Sequence, residues 1–129
     1  MINKRAFTRL KKHLLAEPRR YDQNDVLSAG QDIRNEEVPP CGTTGCLLGW
    51  ASFLSAKNKK ERGTYSFTRA RKYLGLGVKT AKKLFAGTFS DGWNFQSRNA
   101  YNNAITPEER VKVAIEVIDN LIKSNGRNF

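Results

Sequence analysis

Cys41-Gly-Thr-Thr-Gly-Cys-Leu-Leu-Gly-Trp-Ala-Ser-Phe-Leu-Ser55 carries no charge. No charged residue stands between Glu37 and Lys57, although 27% of the chain is charged. Pro39-Pro40 blocks a helix running in from upstream, and Thr43 or Thr44 supplies an N-cap. From Gly45 onward the apolar residues fall on every side: Cys46, Trp50, Phe53 and Leu54 on one arc, Leu47, Leu48 and Ala51 on others. A helix apolar all round is a buried helix. The run is too short to span a bilayer. Gly45 and Gly49, four residues apart, leave one flank bare for a close neighbour. The stretch therefore predicts a buried central helix over about 44–56, with Cys41, Cys46, Gly49 and Trp50 as its structural core motif.

The rest of the chain predicts further helices around it. Phe7, Leu10 and Leu14 make residues 3–16 amphipathic, and Pro18 ends that helix. Residues 19–40 read as an acidic, polar connection, with Asp25 as a cap for a short turn at 26–29. Residues 57–63 read as a solvated loop. Phe67, Ala70 and Leu74 follow a Ser66 cap, Gly75-Leu76-Gly77 turns the chain, and Val78, Ala81, Leu84 and Phe85 form the next stripe. Residues 88–104 read as irregular, with Phe89, Trp93, Phe95 and Tyr101 serving either as a lid on the core or as a stacking platform for bases. Thr106, Pro107 and Glu109 open a last helix that presents Val111, Ala114, Ile115, Ile118, Leu121 and Ile122 on one face and ends at Gly126. That face is expected against the central helix. The fold class is all-α, a single domain of about five helices over residues 1–129.

The formal charge is +11 over 129 residues, and it is unevenly spread. Residues 1–20 hold seven Lys/Arg against Glu17, and residues 57–83 hold ten against Glu61. Residues 21–40 hold five carboxylates against Arg34, while the chain from residue 84 balances. Two basic blocks suggest a polyanionic partner, DNA or RNA first, with an acidic protein surface as the alternative. No apolar run of signal-peptide or membrane-spanning type follows the basic start, so the expectation is a cytoplasmic protein with reduced cysteines and no membrane partner.

The segment from Ala70 to Phe85 resembles a DNA-binding helix-turn-helix: Leu74, Gly75, Leu76 and Thr80 match its turn and the start of its second helix. Arg71 and Gly77 depart from it, standing where a small alanine and a capping serine belong. Lys79, Lys82 and Lys83, spaced i, i+3, i+4, leave one face of that second helix, and Arg69 and Lys72 share a face of the first. Arg69, Arg71, Lys72, Lys79, Lys82 and Lys83 are the candidate nucleic-acid-binding residues.

Catalytic and metal chemistry finds less support. Cys41 and Cys46 are spaced C-x4-C, and only His13 could add a third soft ligand where structural zinc needs four, so no metal or other cofactor is expected. His13, the only histidine, flanks the first helix's apolar stripe and reads as a flanking or surface side chain. No histidine follows the cysteines to serve as base for a papain-like thiol. The carboxylates form no pair in an apolar setting. The reading is of a non-enzymatic protein.

Taken together, Cys41-Gly-Thr-x-x-Cys-x-x-Gly-Trp-Ala51, the Leu-Gly-Leu turn, Leu84-Phe85 and Ile105-Thr-Pro resemble a family of small uncharacterised bacterial and phage proteins. That family carries a C-G-T-x-x-C-x-x-G-[WH]-A core after an H-x-x-x-x-P-x-x-[YF] stretch, which His13, Pro18 and Tyr21 match in outline. The resemblance implies a shared folding core and transfers no activity and no functional residues.

Overall fold

The computed structural model describes residues 2–23, 27–28, 44–62 and 65–129, with backbone alone at 27, 28, 44 and 59. These residues are mostly helical. Helix α1 spans Lys4–Ala16 and is followed by a 3-10 turn at Pro18–Arg20. Two-residue strands β1 (Leu27–Ser28) and β2 (Thr44–Gly45) pair antiparallel, Leu27 opposite Gly45 and Ser28 opposite Thr44. Then come α2 (Leu47–Ser55), α3 (Lys59–Arg62), α4 (Phe67–Leu74), α5 (Val78–Ala86), α6 (Phe95–Asn103) and α7 (Pro107–Lys123).

Among the described residues seven helices stand where about five were expected. The expected loop at 57–63 contains α3, whose Asn58 side chain accepts from Glu61 N at 3.0 Å. The expected irregular stretch at 88–104 contains α6. That helix is polar and buries only Tyr101, so it has no apolar stripe to betray it. What starts it is Asn94, whose side chain accepts from Ser97 N at 2.9 Å.

Helix α2 begins at Leu47, three residues later than expected, with Cys46 at the N-cap. Thr44 and Gly45 are committed to β2 and cannot join the helix. Cys46, Leu47, Gly49, Trp50, Ala51 and Phe53 are buried, while Leu54 is half-buried. Cys41 and the expected turn at 26–29 lie outside the described residues, apart from the backbone of Leu27 and Ser28.

The helix packing also departs from expectation. Helix α2 lies mainly on α4 and touches α1, α3 and α5, whereas α7 packs on α6, α1 and the 3-10 turn. Both tryptophans are fully buried with their indole N–H groups satisfied: Trp50 donates to Arg20 O at 2.7 Å and Trp93 to Leu84 O at 2.9 Å. His13 flanks the apolar stripe and is half-buried, because α1 packs that side against α2. Its ring centroid lies 4.4 Å from that of Trp50 and 6.4 Å from that of Phe53. Across the packing of α7 on α1, Asp119 meets Lys11 at 2.8 Å.

A buried glutamine to which no sequence pattern points ties four segments together. Gln23 Oε1 accepts from Tyr21 OH at 2.9 Å and from Leu47 N at 3.3 Å, and its Nε2 donates to Phe85 O at 3.1 Å. Its backbone N–H donates to Tyr101 OH at 2.8 Å. Both ends of that carboxamide have partners, as burial demands.

Candidate functional site

The α4–α5 hairpin is built by local chemistry. Ser66 caps α4, its hydroxyl accepting from Arg69 N at 3.2 Å. Gly75 ends it in the left-handed region at φ 72°, a conformation that costs glycine nothing. Leu76 N then reaches back to Arg71 O at 3.0 Å. Gly77 leads into α5 with no side chain to cap it.

The six candidate cations separate into two groups. Arg69 turns inward: its Nε donates to Ser55 Oγ at 3.1 Å, and its Nη2 donates to Ser52 O at 3.1 Å and Glu61 O at 2.9 Å. Arg71 is half-buried and braces the turn, Nη1 donating to Leu76 O at 3.0 Å. Lys72 is exposed. On α5, Lys79 and Lys82 are exposed, and Lys83 lies with its Nζ 4.5 Å from the centre of the Phe129 ring. Among the described residues none of these lysines pairs with a carboxylate.

The turn after α7 completes the site. Gly126 N closes on Leu121 O at 2.7 Å, with Gly126 at φ 82°. A Cβ on Gly126 would stand 3.2 Å from Thr80 Cγ2, so a bare glycine is what lets this turn settle against α5. The result is a groove of about 560 Å³ lined by Lys79, Lys82, Lys83 and Arg127, with Asp91 as its one acidic member among the described residues. Arg127 was not a candidate from sequence. It stands 44 residues or more from the three lysines, and its segment is brought to them where Gly126 meets Thr80 and Phe129 lies under Lys83.

A second, shallower depression shares Thr80 and Gly126 with this groove and runs past Gly77 to Ile2 and Asn125. A third shares Ile2 and Asn125 and is flanked by Lys4 and Arg5 of α1. Asn3 brings that end of α1 to the hairpin. Its backbone N–H donates to Leu74 O at 2.9 Å and its side chain to Tyr73 O at 3.1 Å. The α5 lysines and the start of α1 thus border one connected band of surface.

Of the four aromatics at 89–101, Trp93 and Tyr101 are in the core and meet edge to face at 5.8 Å. Phe89 and Phe95 stand 67% and 72% exposed. Elsewhere, Cys46 is buried, and no cluster of three His, Cys, Asp or Glu among the described residues could hold a metal ion. No described helix is long and apolar enough to cross a membrane. Set against known protein families, curated proteins and solved structures, the chain matches none.

Proposed function

We propose that the protein binds nucleic acid, with the phosphates lying along the groove of Lys79, Lys82, Lys83 and Arg127. The observation that carries this reading is the convergence of four cations from two distant segments on one concave surface, where Asp91 is the single carboxylate among the described residues. Folding gains nothing evident from gathering like charges, since exposed cations brought together repel. A polyanion reverses the sign of that interaction. Lys4 and Arg5 border the same band and extend the positive surface beyond the groove. Arg69 braces α4 against α2 and α3 and Arg71 braces the turn, so both stand apart from this contact.

The reading is tested by fluorescence-anisotropy titration with DNA and RNA at low and moderate salt. The expected result is binding in the micromolar range that weakens as salt rises, because counterions released into a saltier solution gain less entropy. Changing Lys79, Lys82 and Lys83 together to Ala should weaken binding to all sequences about equally. Failure to bind more tightly than about 100 μM at moderate salt, the weak end of non-specific contact, overturns the reading in favour of an acidic protein partner.

A further inference from the structure

Beside the basic groove lies a second one of about 460 Å³, lined by Asn94, Gln96, Asn120, Lys123, Ser124 and Asn128. The stretch from Gly126 to Phe129 is the ridge between them. Gly126 and Arg127 line the basic side and Asn128 the amide side. The ridge is fixed at both faces: Phe129 is fully buried under Lys83, and its backbone oxygen accepts from Asn94 N at 2.9 Å. Gln96, Asn120 and Asn128 are exposed, so their carboxamides are open to a ligand.

Two exposed phenylalanines lie close in sequence to the lining residues, though neither ring lines a groove. Phe95 stands between Asn94 and Gln96, and Phe89 stands two residues before Asp91. A large apolar ring at the first position of an otherwise polar helix contributes nothing to the core. Carboxamides pair with the edges of bases, and flat rings stack on their faces. A duplex hides both the faces and the pairing edges, while a single strand offers them.

Resting on the phosphate reading above, we infer that the ligand is a single-stranded polynucleotide, its backbone on the basic groove and its unstacked bases on Phe89, Phe95 and the amide groove. Both rings are exposed, so their removal leaves the fold intact.

The test uses labelled oligonucleotides of about 12 nucleotides, inside the roughly 4–16-nucleotide footprint of small single-strand binders. The probes are oligo-dT, oligo-dA, oligo-rU and a duplex of equal length. Single strands should bind at least about tenfold more tightly than the duplex, and the deoxy and ribo arms distinguish DNA from RNA. Phe95→Ala and Phe89→Ala should each weaken single-strand binding roughly five- to a hundredfold, without changing its salt dependence or the duplex affinity. Phe95→Tyr, which keeps the ring, should restore it. Equal or tighter duplex binding, or Phe→Ala variants within twofold of the parent, overturns this inference and leaves the phosphate groove standing. Failure of every probe to bind overturns both.

Discussion

Helices α4 and α5 are neighbours in sequence, and each carries three cations: Arg69, Arg71 and Lys72 on one, Lys79, Lys82 and Lys83 on the other. Their uses differ. On α4 the Arg69 guanidinium is taken up by two carbonyls and a hydroxyl of α2 and α3, and Arg71 Nη1 donates to the turn carbonyl of Leu76. On α5 the ammonium groups line an open groove. Side-chain chemistry and packing together account for the split. The rigid, forked guanidinium can satisfy several buried acceptors at once, whereas the compact, strongly hydrated ammonium favours water. Helix α4 also packs on α2, which supplies two of the four acceptors. A basic segment in a sequence can therefore be internal scaffolding or an outward surface, and its charge count does not distinguish them.

Changes on the α1–α2–α4 side should be read in stability and changes on α5 in binding. The largest stability effect belongs to Trp50. Trp50→Ala should cost about 3–5 kcal/mol in a denaturant titration, since the ring is fully buried. A loss under about 1 kcal/mol would mean that this side is not the packed one.

The next effect is a pH dependence. Burial holds the His13 pKa down to about 4 from its ordinary 6.5, with the positive charges of Arg20 and then Arg9 acting in the same direction. Its Nε2 is buried without a hydrogen-bond partner among the described residues. Between those two values the unfolded chain binds a proton that the folded chain refuses, so stability falls as pH drops below about 6.5. From about pH 7.5 to about pH 5 the loss should be about 2 kcal/mol. His13→Phe should flatten that part of the profile, and a parent protein equally stable at both pH values would refute the assignment.

Arg69→Met comes third. It keeps the aliphatic stem and removes three hydrogen bonds, so a cost of about 1.5–3 kcal/mol is expected. Nucleic-acid affinity measured on the folded variant should stay within about twofold of the parent's. A binding defect as large as that of the α5 variants, with stability unchanged, would erase the distinction between the two helices.

What could be read from the sequence follows how local its cause was. The start of α7 was legible because Thr106, Pro107 and Glu109 act within one turn. Thr106 Oγ accepts from Glu109 N at 3.2 Å, while Glu109 accepts from Ile105 N at 3.0 Å, one residue short of the expected cap position. The α4–α5 hairpin and the burial of Cys46, Trp50 and Phe53 were legible from periodicity. The start of α2 was misjudged because Thr44 and Gly45 pair with Ser28 and Leu27, a non-local event. Helix α6 was missed because its signal was an Asn cap without an apolar stripe. Of the groove, the three lysines were visible from their spacing. Arg127 was invisible because it arrives through the fold of α7, and the inward turn of Arg69 depends on Ser52 and Ser55 of α2.

On the proposed function the α5 lysines, and not the α4 arginines, meet the phosphates. The most direct measurement is the slope of log affinity against log salt for the parent, Arg69→Met and the Lys79, Lys82, Lys83→Ala variant, all on one single-stranded oligonucleotide. Removing one cation that neutralises a phosphate flattens the slope by about 0.7 on a single strand. The account predicts a slope for the triple-lysine variant shallower than the parent's by about 2, and an Arg69→Met slope equal to the parent's. Equal slopes for the triple variant and the parent, or a flattened slope for Arg69→Met, would contradict it.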